Sequence, residues 1–199
     1  MGAGALVKIL TGRLRGQTIL FKANAHLRPT TDKARKAIFD MLQGVVEKKR
    51  VLDLFSGTGA LGFEALSQGA SHVTFVEQDA FQCKKIMKNL KRWKFEGSVE
   101  VCHREALRWL SRVDDQKKPF DFVFFDPPYE TDLAVKTLNA ISTSRLAPDG
   151  GFVVLECRRK YDVPSTTGNL KVVREKRYGQ TKVMVYKAFH SVSDIGNSG

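Results

Sequence analysis

The chain has 199 residues, 42% of them hydrophobic, which fits one globular domain with a sizeable core. Its 33 Lys and Arg residues outnumber 21 Asp and Glu, and the net charge of +12 favours a polyanionic partner such as nucleic acid over a merely solvated surface. Three scattered cysteines indicate neither a disulfide framework nor a zinc site, and no apolar run suits a membrane span or signal peptide. We expect a monomeric cytoplasmic protein without a metal ion or a membrane partner.

The positive charge is concentrated in two parts of the chain. Residues 1–50 contain 11 basic and 3 acidic side chains, and so carry +8 of the total. A second run, "KKIMKNLKRWK" from Lys84 to Lys94, has six basic residues and no acid. Its Trp93 is available to stack on a base or to pack in the core, and packing is the commoner role for such a residue.

The first quarter of the chain predicts an arm and a helix. "LTGRLRGQTILF" reads as a short hairpin or arm, and "TTDKARKAIFDMLQGVV" has Thr31 or Asp32 as a plausible N-cap. Apolar residues of the second segment fall at helical spacing: Ala34, Ala37, Ile38, Met41, Leu42 and Val45. We expect residues 1–48 to form a basic extension packed on the core.

The rest of the chain alternates apolar runs with segments of helical period, which is typical of βαβ units. Five central strands are predicted at residues 50–55, 72–77, 98–102, 120–125 and 151–156, and two alternating runs around Tyr178 to Thr181 predict a hairpin. The expected fold is α/β: a doubly wound, seven-stranded, mainly parallel Rossmann-like sheet over residues 49–188. Residues 189–199 read as a disordered tail.

The loop "DLFSGTGALGFEA" places Asp53 at a strand end and a GxGxxG pattern, Gly57 to Gly62, before a helix. A turn whose N–H groups face a ligand excludes Cβ atoms, and the helix N-terminus favours a negative group. Glu77, 20 residues after Gly57, could accept hydrogen bonds from ribose hydroxyls. NAD and S-adenosylmethionine both suit this pattern, and so does a plain strand-to-helix turn.

Two features favour S-adenosylmethionine over a dinucleotide. Asp53 would repel a pyrophosphate but attract a methionyl ammonium. The second feature is "FFDPPYE", where the Asp126 side chain and a Pro127 carbonyl could each accept one N–H of a base amino group and aim its lone pair at a methyl donor. The prolines hold the backbone still, and Tyr129 would stack on the base. The simpler alternative is a turn with a capping aspartate.

"DLFSGTGALGFEALSQGA", "FVEQD" and "FFDPPYE" resemble the class I S-adenosylmethionine-dependent methyltransferases that have an (N/D)PP(Y/F) motif. "TGRLRGQTI", "LRPTTDKARKAIFDML" and "RYGQT" narrow the resemblance to the bacterial RsmD-type family, which methylates N2 of a guanine in 16S ribosomal RNA. The resemblance implies S-adenosyl-L-methionine as cofactor and 16S ribosomal RNA or the small ribosomal subunit as partner. It covers the chain from about Ile9 to Ala188.

The resemblance also implies roles for individual residues. The cofactor pocket is expected to contain Asp53, Phe55, Ser56, Gly57, Gly59, Glu77, Glu105 and Ala106. The target amine is expected at the catalytic residues Asp126, Pro127, Pro128 and Tyr129, with Arg28, Thr30 and Asp32 bordering the site. Glu105 stands where many relatives have the shorter aspartate beside the adenine.

Other readings stay open at this point. An adenine-N6 or cytosine-N4 methyltransferase acting on RNA or DNA would share the DPPY motif. A non-catalytic RNA-binding module could have kept a cofactor pocket, although the intact Gly57 and Asp126 argue against it. A dehydrogenase is weakened by Asp53 and by a glycine pattern that begins only after 56 residues.

Overall fold

The computed structural model describes residues 6–22, 31–42, 44–113, 118–128 and 131–190. The helices are α1 (Asp32–Met41), α2 (Ala60–Ser67), α3 (Ala80–Arg92), α4 (Ala106–Leu110) and α5 (Thr131–Ser142), with short 3-10 turns at Gly12–Leu14 and Glu96–Ser98. The strands are β1 (Arg50–Leu54), β2 (His72–Glu77), β3 (Val99–His103), β4 (Phe122–Phe125), β5 (Phe152–Arg158), β6 (Thr166–Thr167), β7 (Leu170–Tyr178) and β8 (Thr181–Ala188). Within these ranges, every helix is too short or too polar to cross a membrane.

All eight strands form one sheet in the order β3-β2-β1-β4-β5-β8-β7-β6. Strands β1 to β5 are parallel, and β8 pairs antiparallel with both β5 and β7. The predicted α/β, mainly parallel, Rossmann-like sheet is confirmed. It has eight strands instead of seven, because the two-residue β6 pairs with the start of β7 and is too short to leave a periodic pattern.

The five central strands begin and end within two residues of their predicted bounds. The second strand has its predicted bounds, and the last two strands flank a turn between Tyr178 and Thr181 as expected. The fourth strand begins at Phe122, two residues later than predicted. Of the predicted tail, residues 191–199 lie outside the described residues.

Side chains alternate between the two faces of the sheet, and each face has its own apolar cluster. Phe122 and Phe124 point to the face covered by α1, α2 and α3. Val123 and Phe125 point to the face covered by α4 and α5. The central strands are therefore apolar on both faces, which explains their continuous hydrophobic runs.

Helix α1 begins where the sequence predicted. The Thr31 hydroxyl accepts a hydrogen bond from the Ala34 N–H at 3.2 Å, which confirms Thr31 as the N-cap. Phe39 packs its ring 5.5 Å from that of Phe124, so this helix lies against the central strand β4. Val45, expected on the inner face, is exposed because the helix ends at Met41 and the chain turns away.

The N-terminal arm, residues 6–22, is held on the same face of the sheet by side chains of α3. The Asn89 amide bonds both the N–H of Leu20, at 3.0 Å, and its carbonyl, at 2.8 Å. The Gln82 amide does the same for Lys22, at 3.2 and 2.6 Å. Both amides are buried, so two turns of one helix fix the extended backbone of the arm.

Helix α2 holds the other half of the arm through Glu64. This buried carboxylate accepts hydrogen bonds from the Leu10 N–H at 2.6 Å and the Thr11 hydroxyl at 2.8 Å. Its third partner is Arg35 of α1, whose Nε lies 3.3 Å away as an ion pair. Burial raises the pKa of Glu64 and lowers the pKa of Arg35, and in each case the charge of the other residue opposes that shift.

The amide contacts of Asn89 generate a stability prediction. Asn89→Ala should lower the free energy of unfolding by about 2–4 kcal/mol, because two partly buried backbone groups of Leu20 lose their partners. Urea unfolding measures the difference, with Lys91→Ala on the exposed side of α3 as the control, expected within about 0.5 kcal/mol of the parent. Equal stability of the two variants would contradict a docked arm.

Candidate active site

Four carboxylates lie close to one edge of the sheet. The carboxyl ends of parallel strands meet at one edge, where α/β proteins bind their ligands. Asp53 and Glu77 lie on β1 and β2, and Asp126 and Glu156 occupy the next position of the register between β4 and β5. By side-chain alternation all four belong to the face covered by α1, α2 and α3, on four adjacent strands.

Asp53 lies deeper in the sheet than the other three, opposite Phe75 of β2 and Phe124 of β4. Its side chain is 2% exposed and accepts a hydrogen bond from the Gly62 N–H, inside α2, at 2.9 Å. Burial raises the pKa of Asp53 well above its ordinary value; the Gly62 N–H opposes this shift, and the charges of Glu77 and Asp126 add to it. A cation bound at this edge would relieve that repulsion, so these carboxylates favour a positively charged ligand group.

The turn after β1 crosses to β2. The Ser56 hydroxyl donates to the Asp53 carbonyl at 2.6 Å, and the Gly57 N–H donates to Glu77 Oε2 at 2.7 Å. Phe55 and Gly57 both have positive φ angles, 56° and 52°, which produce the sharp reversal. Four of the predicted pocket residues, Ser56, Gly57, Glu77 and Asp53, are thus joined directly.

Close packing explains the other two glycines of the GxGxxG pattern. Gly59 is the N-cap of α2 with a φ of 76°, and a Cβ there would lie 2.8 Å from the Phe63 ring. A Cβ on Gly62 would lie 2.2 Å from the ring of Phe75 in β2, so only glycine lets α2 pack this close to the sheet. Gly59 has no side chain to cap α2, and the Asp53 carboxylate takes the Gly62 N–H in the first turn of the helix.

Glu77 accepts from two backbone donors. Besides Gly57 N, its Oε1 accepts from the Asp79 N–H at 2.8 Å, and the residue is 8% exposed. A carboxylate oxygen has two lone pairs, so each oxygen retains one acceptor position for a hydroxyl group. Its role towards a ribose stays a prediction.

The "DPPY" segment follows β4 directly. Asp126 is half-buried, Pro127 is buried and Pro128 is exposed. Tyr129 lies outside the described residues. The register of β4 beside β1 brings this segment next to the turn after Asp53, on the same edge of the sheet.

Glu105 and Ala106 follow β3 at this edge, but the Glu105 side chain has a local role. Its two oxygens accept from the N–H groups of Leu107 and Arg108 at 2.9 and 2.8 Å, so Glu105 caps α4. Ala106 is the buried first residue of that helix. The predicted adenine contact therefore depends on a carboxylate that the cap already uses.

The predicted border residues are only partly described. Asp32 is the first residue of α1, with its side chain 69% exposed and 2.8 Å from Arg35. Arg28 and Thr30 lie outside the described residues. Arg35 also donates to the Lys8 carbonyl at 2.6 Å, which ties α1 to the arm.

Sequence reasoning assigned no role to Glu156, although its signal was present. The run "GFVVLE" ends on an acid, as do the runs before Glu77 and Asp126. Glu156 is 6% exposed, and its charge acts on Arg35. In the described parts of the chain, no group of three or more His, Cys, Asp or Glu side chains is arranged to hold a metal ion.

Comparison with known proteins identifies relatives over almost the whole chain. The family described as Conserved hypothetical protein 95 matches residues 7–187. The Bacillus subtilis protein YlbH is 34% identical over 181 residues, 91% of this chain and 98% of its own length. The Escherichia coli ribosomal RNA small subunit methyltransferase D is 32% identical over 91% of this chain and 89% of its own. The solved Escherichia coli protein yhhF has a TM-score of 0.81 and 31% identity, covering 94% of this chain and 100% of that one.

These matches agree with the motifs at the strand ends and with the N-terminal block. The resemblance predicted from those motifs is confirmed, and the chain belongs to the Conserved hypothetical protein 95 family, that of the RsmD-type ribosomal RNA methyltransferases.

Proposed function

We propose that this protein transfers a methyl group from S-adenosyl-L-methionine to the N2 amino group of a guanine in 16S ribosomal RNA. The observation that carries the proposal is the position of Asp126 and its two prolines, which follow β4 beside the Gly57 turn and Glu77. Family membership supports the same reaction. The net charge of +12 suits an RNA substrate.

The cofactor pocket fits S-adenosylmethionine. The first turn of α2, where Gly59 supplies no side-chain cap and Asp53 accepts from the Gly62 N–H, favours the methionyl carboxylate, and the Asp53 carboxylate favours the ammonium group. Glu77 keeps acceptor positions for ribose hydroxyls, while Phe55, Ser56, Gly57 and Gly59 form the turn between these groups. Glu105 and Ala106 would border the adenine.

The target amine is held by "DPPY". A base amino group has two N–H donors and a lone pair delocalised into the ring, so it is a weak nucleophile. Asp126 and the Pro127 carbonyl each accept one N–H, which draws the nitrogen towards tetrahedral geometry and directs its lone pair. Pro127 and Pro128 restrict the backbone, and Tyr129 stacks on the base. When bound, the cofactor would supply a methyl group activated by its sulfonium: the nitrogen–methyl bond forms as the sulfur–methyl bond breaks, the neutral thioether leaves, and the extra proton on nitrogen passes to solvent.

The organisation of the chain follows from the same proposal. We infer that residues 49–188 form the catalytic domain and that residues 1–48 brace it and help to recognise RNA, with 189–199 as a tail. Arg28, Thr30 and Asp32 would border the target base. The protein would act as a monomer in the cytoplasm, on free 16S RNA or on the small ribosomal subunit.

Transfer of a tritiated methyl group tests the reaction and its substrate together. The purified chain is incubated with labelled cofactor and unmodified 16S RNA, free and in small subunits, and the labelled nucleosides are separated. We expect label in N2-methylguanosine. Label in methyladenosine or methylcytidine would keep the chemistry but overturn the target base, and no label despite cofactor binding would favour a binding module.

The role of Asp126 can be separated from cofactor binding. Asp126→Ala should reduce the rate of methyl transfer about 100- to 1,000-fold, because the amine loses a fixed acceptor. Asp126→Asn, which keeps one carbonyl acceptor, should lose less activity. Calorimetry should find the cofactor Kd of both variants within about threefold of the parent, and a cofactor affinity that falls as far as the rate would refute this role.

The raised pKa of Asp53 generates a prediction for pH. A carboxyl group whose pKa is higher in the folded state than in the unfolded state lowers the free energy of unfolding of the protein as the pH rises above about 4. Asp53→Asn keeps an acceptor for the Gly62 N–H but has no charge. Without cofactor, the stability of this variant relative to the parent should increase from pH 4 upwards in urea unfolding, while its cofactor affinity falls at least about tenfold. A pH-independent difference would show that Asp53 is not destabilised by its burial.

A further inference from the structure

Helix α3 has an outer face without a structural role in the fold. Its inner side buries Ile86 and Leu90 in the core and uses Gln82 and Asn89 to hold the arm. Its outer face presents a stripe at helical spacing, which we call the lysine stripe: Phe81, Lys84, Lys88 and Lys91. All four side chains are exposed.

The lysines of this stripe weaken the helix. Like charges three and four residues apart repel each other, so Lys88 repels both Lys84 and Lys91 when nothing neutralises them. Among the described residues, no carboxylate lies within ion-pair distance of any of the three. A partner that carries regularly spaced negative charge would remove this repulsion.

Phe81 begins the stripe at the edge of the candidate site. It lies in the first turn of α3, where its N–H donates to Asp79 Oδ1 at 2.7 Å, four residues after Glu77. The side chain is 56% exposed, an unusual position for a large apolar ring. The Lys22 ammonium lies 3.9 Å from the ring centroid, and the two Gln82 hydrogen bonds hold the Lys22 backbone in place.

Trp93, the aromatic residue of the basic run from Lys84 to Lys94, is not available to stack on a ligand. Its ring packs edge-on against Phe63 at 5.2 Å, so the packing interpretation of the sequence is confirmed. Phe81 is therefore the aromatic side chain that α3 offers to a ligand. Ten residues of helix separate it from Lys91, which makes the stripe about 15 Å long.

We propose that the lysine stripe is the surface along which the RNA strand leaves the active site. Lys84, Lys88 and Lys91 contact successive phosphates, and Phe81 stacks on a base close to the methylated one. The inference rests on the proposed function, since it concerns the RNA of that same site. Three features support it: the uncompensated charge, the exposed ring with its fixed cation, and the start of the stripe beside Glu77.

The first experiment compares two triple variants with the same change in net charge. Lys84→Gln/Lys88→Gln/Lys91→Gln removes the stripe, and Lys136→Gln/Lys160→Gln/Lys171→Gln removes three exposed lysines outside α3 and the arm. The Kd for unmodified 16S RNA transcript is measured between 50 and 200 mM salt. The stripe variant should lose about 2 units from the slope of log Kd against log salt, at about 0.7 per lost contact to a single strand. The control should keep the parent slope.

The second experiment tests the ring with a matched control. Phe189 is 49% exposed, lies just beyond β8 and has the Lys187 ammonium 5.6 Å from its ring. Phe81→Leu should raise the KM for RNA about 5- to 100-fold, because one base loses its stacking partner. The kcat at saturating RNA and the cofactor Kd should stay within about threefold of the parent, and Phe189→Leu should change none of these quantities.

The outcomes separate this inference from the proposed function. If the parent methylates 16S RNA and the stripe variant keeps the affinity and slope of the control, the stripe is a solvated surface and the inference is wrong. An effect confined to assembled subunits would indicate contact with a ribosomal protein and would also overturn it. If the parent binds RNA through the stripe without methylating it, the proposed function fails, the path out of an active site is overturned with it, and the stripe remains an RNA-binding surface only.

Discussion

The buried Glu64 carboxylate is the contact on which the arrangement of this protein depends. It belongs to α2, accepts hydrogen bonds from the arm at Leu10 and Thr11, and pairs with Arg35 of α1. Removal of the Arg35 charge would leave the Glu64 carboxylate buried without its ion-pair partner, which typically costs about 3–5 kcal/mol. One side chain thus links α1, α2 and the arm on this face of the sheet, and the glycine turn of the site leads into the N-terminus of α2.

Helix α2 also positions the glycine turn of the site. Gly62 of α2 donates to Asp53, and the missing Cβ of Gly62 lets the helix rest on Phe75. The position of the glycine turn is therefore set by packing under the helix as well as by any ligand above it. A substitution at Gly62 would move the turn away from Glu77 and Asp126 without touching either carboxylate.

Much of the fold was predictable because its signals are local. Apolar runs located the central strands, the Thr31 cap located α1, and strand-ending acids located Asp53, Glu77 and Asp126. The pairing of Glu64 with the arm was not predictable. The paired residues are 53 and 54 positions apart in the chain, and neither segment has a local pattern that indicates its partner. The Glu105 cap was missed for a different reason: the same carboxylate suits a ligand and a helix N-terminus, and only the backbone after it decides.

The hydrogen bonds between α3 and the arm have a consequence for how the protein folds during its synthesis. The contacts that hold Leu20 and Lys22 come from residues 60 to 69 positions later in the chain. At a synthesis rate of about 5–20 residues per second, α3 is produced several seconds after the arm. Until then its basic residues are free in solution beside the translating ribosome, and the arm becomes part of the fold only after the first three helices and two strands have been produced.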